Sequence, residues 1–306
     1  MTTLSADAPA TPRPAALRRD KRRWTGWAFV APFLVVFALV LVAPVIYAIY
    51  LSLFKEQLIG GNAFVGISNY TQALSDPKFW DSLGRVALFL CVQVPIMLGL
   101  ALFAALAIDS ARLYLSSFFR ISIFLPYAVP AVVATLMWGF MYGNRFGLVG
   151  NVNDFFGIQL PDPLSNNWVL LSIGNIVTWE FVGYNMLIFY AALRVISTDL
   201  YEAAELDGAS QWRIIRSIKL PAIRGAIVIA GIFSVIGSFQ LFNEPNILQS
   251  LAPNTISTFF TPNMYAYNLS FSGQQYNYSA AIAIIMGVVT AVIAYIVQNS
   301  GSRKEK

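Results

Sequence analysis

Charge is what this sequence has least of: charged residues are 11% of its 306 positions, against 57% hydrophobic. A soluble domain carries about 25% charged residues to solvate its surface. A chain this poor in charge cannot cover a water-facing surface and has to take lipid as its solvent. Histidine is missing altogether, which excludes histidine-based triads, imidazole metal ligands and the usual proton relay near neutral pH. A single cysteine, Cys91, rules out an intrachain disulfide. Inside a long apolar run it reads as a small packing or lipid-facing residue. No Gly-x-x-x-x-Gly-Lys-Ser/Thr phosphate loop occurs, and Gly60-Gly61 reads as a loop turn. No Cys/His cluster points to a metal. Neither catalysis nor a cofactor is therefore assigned to this chain. The net charge of +5 would suit nucleic acid, but the positions of the cations argue for topology instead.

What is abundant is apolar sequence in long runs. A membrane-crossing helix needs about 20 apolar residues, because the hydrocarbon core is about 30 Å thick and each residue rises 1.5 Å. Six runs qualify: Ala28–Leu53, Val86–Ile108, Ile121–Tyr142, Trp168–Leu193, Gly225–Asn243 and Ser279–Gln298. Only the fourth holds an ionisable Asp, Glu, Lys or Arg, namely Glu180. An open sheet would leave backbone groups unpaired in lipid, so helices are expected. The first run follows Arg18-Arg19-Asp20-Lys21-Arg22-Arg23 but is too long for a signal-peptide core and lacks a small-residue cleavage site. It reads as a retained span. Residues 1–23 read as a basic, largely disordered tail, and residues 24–306 as the membrane domain.

Of the 20 Lys and Arg, 16 fall in the tail, the second-to-third and fourth-to-fifth connections and the C-terminus; Lys55, Lys78, Arg85 and Arg145 fall on the other side. Cations collect in cytoplasmic segments. The expectation is an all-α membrane protein of six transmembrane helices with both termini cytoplasmic. The external connection Glu244–Tyr278 contains no Lys or Arg and is rich in Asn, Ser, Gln and Tyr; loops of that length are often functional.

The cytoplasmic connection Arg194–Arg224 is the most informative stretch. It reads as two short helices and a turn. Asp199 can cap the first, with Glu202 completing a capping box. Gly208 suits a left-handed helix-ending position, and Ser210 can cap the second helix. There Ile214, Ile215 and Ile218 share one face, and Arg213 and Arg216 another. Pro221 ends that helix or opens the next span. Ala203 and Ala204 beside the glycine turn make a flat, closely approachable surface. Chemistry alone fits two readings: a surface that docks into another protein's cleft, or a loop lying on anionic headgroups.

The spacing resembles the EAA loop of ABC-importer permeases, E-A-A, three residues, G, nine residues, I-x-L-P. Every fixed letter is present, at Glu202, Ala203, Ala204, Gly208, Ile218, Leu220 and Pro221. A chance match is on the order of one in a million at ordinary residue usage. One departure is Ile215, where an aromatic often stands. Phe64-Val65-Gly66-Ile67-Ser68-Asn69-Tyr70 and Ser238-Phe239-Gln240-Leu241-Phe242-Asn243-Glu244-Pro245 are similar to segments of the maltose-type carbohydrate subgroup, on its larger permease subunit. The resemblance implies a permease subunit of an importer for a sugar, in the bacterial cytoplasmic membrane. The coupling contacts to the ATPase fall at Asp199, Glu202, Ala203, Ala204, Asp207, Gly208 and Ala209. The implied partners are a second permease subunit, a cytoplasmic ATPase dimer that holds ATP and Mg, and an external solute-binding protein.

The same resemblance puts a substrate path at Val177, Glu180, Phe181 and Tyr184 in the fourth span and at Ser234, Gly237, Ser238 and Leu241 in the fifth. Each set shares one helix face. Aromatic rings stack on pyranose faces, and carboxylates or hydroxyls pair with sugar hydroxyls. The spans hold no Lys or Arg, which disfavours phosphate or carboxylate substrates. The small residues of the fifth span also fit close helix packing, and Glu180 also fits a bond to a neighbouring helix. Other readings are an ion-coupled secondary transporter, which is expected to carry more acids in its spans, a membrane receptor or scaffold, and a permease for a polyol or glycerol phosphate.

Overall fold

The computed structural model describes residues 21–57, 61–110, 113–144 and 147–302. Of the expected basic tail, residues 1–20 lie outside this set. In chain order the elements are α1 (Lys21–Phe37), α2 (Ala43–Ser52), β1 (Phe54–Gln57), β2 (Gly61–Phe64), α3 (Ser68–Leu74), α4 (Pro77–Asp109), α5 (Ser116–Phe124), α6 (Ala131–Met141), α7 (Leu148–Phe156), α8 (Val169–Leu193), α9 (Thr198–Leu206), α10 (Gln211–Ile214), α11 (Leu220–Ala222), α12 (Arg224–Phe239), α13 (Asn243–Leu248), α14 (Pro262–Phe271) and α15 (Tyr276–Ser302). The strands form one antiparallel hairpin with Phe54 opposite Phe64. Among the described residues, five helical stretches are long and apolar enough to cross a membrane, and six if one bent pair counts as a single span.

The chain divides into two units, Met1–Ala48 and Ile49–Lys306. In the first, α1 contains Pro32 and runs into a π-helical turn at Ala38–Val42. Its large apolar side chains are exposed, among them Phe29, Phe33 and Val40, as lipid-facing side chains are.

The second unit is built along α4. Asp76 caps it, its Oδ1 accepting from the Lys78 N–H at 2.9 Å. Pro77 takes the first helical position, where a missing N–H costs nothing. With 33 residues, α4 is about 50 Å long, more than the hydrocarbon core requires. It therefore begins well before Val86, inside the stretch read from sequence as a loop. Phe79, Ser82, Val86, Phe89, Gln93, Met97, Ala101, Ala105 and Ile108 form its buried stripe, while Leu88, Val92, Ile96 and Phe103 are exposed. Along this stripe lie three apolar clusters: one holding Phe79 and Val86 with Phe239 and Ile282, one holding Phe89 with Ile173, Ile176 and Leu248, and one holding Ala101, Ala105 and Ile108 with Phe189 and Ile223.

The expected third span is not one straight helix. Chain Ser116–Ala128 and helix Ala131–Met141 meet at 97°. Pro130 stands just before α6 and holds Val129 extended, at φ −79° and ψ 129°, because the proline ring disfavours a helical residue before it. The bent chain crosses α8 at Gly183, where an added Cβ would lie 2.1 Å from the Ile123 carbonyl oxygen. Only glycine admits that crossing. The Glu244–Tyr278 connection is also more ordered than a loop, since it contains α13 and α14.

The chain's end of α4 near Asp76 is fixed by side chains from far along the sequence. Asp76 Oδ2 accepts from Tyr265 at 2.5 Å and from Tyr278 at 2.9 Å. Burial would raise the Asp76 carboxyl, but the two phenols, the Lys78 N–H and the Lys78 charge outweigh it and hold it below its ordinary value. Burial and the same carboxylate push Tyr265 up to about 12. Arg85 donates to the Phe259 and Phe260 carbonyls. The segment Phe64–Tyr70 has a structural use: Asn69 Nδ2 donates to the Ser52 and Phe54 carbonyls at 2.8 and 2.7 Å, and Tyr70 pairs with Ser52.

Candidate functional site: a polar cavity and a projecting helix

Four parts of the second unit enclose a cavity of about 390 Å³, within the range of about 300–1,000 Å³ typical of small-molecule sites. Helix α4 contributes Phe89, Gln93 and Met97; the turn after α5 contributes Tyr127; α8 contributes Val177, Phe181, Tyr184 and Asn185; α12 and the chain after it contribute Phe233, Ser234, Gly237, Ser238 and Gln240 to Glu244. Among the described residues no Lys or Arg lines it. A larger groove between α4 and α8, of about 530 Å³, is faced mainly by Leu88, Val92, Ile96, Leu100, Leu170 and Leu171. It has little to offer a polar solute.

The residues expected from the sequence fall unevenly. Val177, Phe181, Tyr184, Ser234, Gly237, Ser238 and Leu241 line the one cavity, although the two sets are some fifty positions apart. Glu180 does not line it. That carboxyl is 5% exposed, and its Oε2 has no hydrogen-bond partner among the described residues. Glu180 turns with Ile173, Ile176 and Gly183 toward the packed side of α8 and lies within electrostatic range of Glu244. Glu244 is the acid on the cavity wall, and it is buried.

Local chemistry arranges the wall. Tyr127 stacks on Tyr184, with centroids 4.9 Å apart and planes at 19°, and meets Phe181 edge-on at 5.8 Å. Gln93 Nε2 donates to Thr178 Oγ1 at 3.2 Å, fixing an amide from α4 against α8. Ser238 Oγ donates to its own helix at Ser234 O, 2.9 Å away, so its lone pairs remain as acceptors. An added Cβ at Gly237 would meet nothing within 4 Å. That glycine faces space, and close helix packing does not account for it.

Gln93, Met97, Tyr127, Asn185, Asn243 and Glu244 were not expected at the site. Tyr127 carried one signal, its place between Pro126 and Pro130 in an otherwise apolar span. Glu244 sat in a stretch read as external loop. Nothing in the α4 sequence distinguishes Gln93, since its role depends on packing against α8. Among the described residues no group of three or more Cys, Asp or Glu could hold a metal.

The second feature is α9. Ser197 caps it, Oγ accepting from the Asp199 N–H at 3.3 Å. The cap is therefore two residues earlier than expected, and Asp199 stands in the first turn, where a negative charge suits the helix dipole. The helix ends as expected at Gly208, φ +77°. There Gly208 N–H donates to Glu205 O and Ala209 N–H to Ala204 O, the paired bonds of a left-handed helix stop. Gln211 joins Glu205 at 3.0 Å, and Ser210 Oγ accepts from the Arg213 N–H at 3.4 Å. Continuation is not α-helical throughout, since Ile215–Lys219 forms a π-helical turn. No residue of α9 is fully buried. Glu202, Ala203, Asp207 and Gly208 are exposed, with Ala204 and Ala209 half-buried. Leu206 and Trp212 are 89% and 69% exposed.

Residues 97–306 match the family described as binding-protein-dependent transport system inner membrane component. The lactose transport system permease protein LacF of Rhizobium radiobacter is 31% identical over 281 residues, which cover 89% of this chain and 92% of that protein. The sulfoquinovosyl glycerol transport system permease protein SmoG of Agrobacterium fabrum is 30% identical, covering 94% and 99%. Among solved structures, a bacterial ABC transporter involved in the import of the acidic polysaccharide alginate contains a chain with TM-score 0.80 and 21% identity, covering 94% of this chain and 98% of that one.

Proposed function

Because the chain belongs to the family of binding-protein-dependent transport system inner membrane components, we propose that it passes a neutral sugar through the α4–α8–α12 cavity and docks an ATPase through α9. The observation that carries this reading is the shared wall: side chains of α8 and α12 that stand apart in sequence meet around one polar, cation-free cavity. Stacked Tyr127 and Tyr184 offer flat apolar faces, and Gln93, Asn185, Ser238 and Glu244 offer hydrogen bonds, the two contacts a pyranose ring needs. The relatives named for lactose and for sulfoquinovosyl glycerol support sugar cargo and differ in charge. Against an anionic sugar stands Glu244 at the wall with no Lys or Arg to oppose it.

The exposed Glu202, Ala203, Asp207 and Gly208 surface of α9 is the part that meets a cytoplasmic ATPase dimer, where ATP and Mg are bound. A second permease subunit and an external binding protein complete the importer. The ion-coupled alternative finds little support, since Glu180 and Glu244 are the only acids among the described residues placed at or beside the cavity. The test is uptake by the reconstituted importer of radiolabelled lactose in competition with an alginate oligosaccharide. Accumulation of lactose unaffected by the uronate is expected. Preference for the uronate overturns the neutral assignment.

A further inference from the structure

Asp109 is the last residue of α4, where a negative charge opposes the helix dipole. Its partner comes from 110 positions away: Lys219 Nζ lies 2.6 Å from Asp109 Oδ2, with both side chains at or below 10% exposure. Lys219 closes the π-helical turn Ile215–Lys219. The extra residue of such a turn rotates the following chain by about 100° relative to an α-helix, and Lys219 is the turn's one buried residue. The same ammonium lies 5.0 Å from the ring of Tyr201, one of the few half-buried residues of α9. Burial, with the Asp109 charge added, pushes the Tyr201 phenol up, so the ring stays a neutral cation acceptor.

Helix α9 leads through α10 and α11 directly into α12, which carries Ser234, Gly237 and Ser238. Toward α4 it has no such covalent link. We infer that the Asp109–Lys219 pair, capped by Tyr201, is a positioning clamp that makes α4 follow α9 when the ATPase moves that helix, so that both walls of the cavity shift together. From Asp109 to Met97 along α4 is about 18 Å with no proline between them, the helix's one interior proline being Pro95, and an unbroken helix transmits a displacement over that length. An unpaired charge at this depth is costly, so the pair holds as a unit. This inference rests on reading α9 as the ATPase-docking helix.

The test uses the assembled importer with Cys91, which is exposed on α4, and a Thr198→Cys substitution on α9 as spin-label sites in otherwise cysteine-free partners. The distance between labels is measured without nucleotide and with ATP plus vanadate. With the clamp intact one narrow distribution is expected in both states. Asp109→Asn or Lys219→Met should broaden it or shift it by more than about 2 Å, the scale of interface helix shifts, in the ATP–vanadate state. If a single variant fails to assemble, Asp109→Asn with Lys219→Gln leaves no charge unpaired and is read instead. Distributions in assembled variants that match the parent overturn the clamp, as does failure of every variant to assemble, which makes the pair purely structural. The docking reading is judged separately by Gly208→Asp, whose retained ATPase attachment removes it whatever the distances show.

Discussion

Two glycines on the spans give opposite expectations for the same kind of change. At Gly183 a methyl group would collide with the Ile123 carbonyl. Gly183→Ala should destabilise the subunit by about 1–3 kcal/mol, the usual range for overpacking, seen as a lower melting temperature in detergent. At Gly237 a side chain would enter open cavity space. Gly237→Val should leave the melting temperature within a degree or so of wild type and reduce sugar uptake; unchanged uptake would place the path elsewhere. Glu244 and Glu180 separate in the same way. Glu244→Leu should cost uptake about 5- to 150-fold, because a sugar hydroxyl desolvated without a partner loses about 1–3 kcal/mol. Glu180→Gln, away from the lining, should keep both uptake and assembly, and Glu180→Leu should test whether its carboxyl matters at all. Composition showed that an acid in a span needs a reason. It did not show that Glu180 turns to the packed side while Glu244, outside the apolar run, turns to the cavity. Helix faces were countable along α8 and α12, but which neighbour each face meets is a tertiary matter.

Among elements, α9 and α4 carry the testable consequences. Gly208 holds a left-handed conformation, which costs other residues about 1 kcal/mol or more. Gly208→Asp should fray the helix stop, and ATPase co-purification and uptake should both fall while membrane insertion is normal. At the other end of α4, Asp76 links three elements with its charge. Its carboxyl is depressed in the folded protein, so its contribution is complete above the unfolded value of about 4 and is lost as pH falls through the lower folded value. Asp76→Asn should lower stability at neutral pH and flatten the loss of stability in acid; an unchanged acid limb would deny the carboxylate this part. The turn chemistry of α9 was readable because Gly208 and Ser210 act locally. Its start was misplaced because Ser197 and Asp199 are both competent caps and the chain's entry angle chooses between them. The 97° bend went unread although Pro130 was visible, since apolar content alone makes Ile121–Tyr142 look like one span.

For the whole molecule, the family places the chain in the inner membrane, and the distribution of cations gives the orientation its test. A reporter after Lys306 should read cytoplasmic and one near Gly273 external; an external C-terminus would overturn the six-span count. The length and apolarity of the spans were legible because lipid imposes them. The cavity was legible only in part: Val177, Phe181, Tyr184 and the α12 residues followed from the family resemblance, Tyr127 was marked only by its flanking prolines, and Gln93 enters through packing that no local pattern records.

Synthesis proceeds from one end, and α4 is held at both of its ends by side chains made much later. Asp109 waits for Lys219, and Asp76 waits for Tyr265 and then Tyr278. At about 5–20 residues per second, the last phenol leaves the ribosome roughly 8–35 s after Asp109. Until Lys219 is made α4 has an unmatched carboxylate at each end, and from then until Tyr265 is made only Asp76 lacks its distant partners. A nascent chain stopped before Tyr276 therefore holds Asp76 with only one of its two phenols.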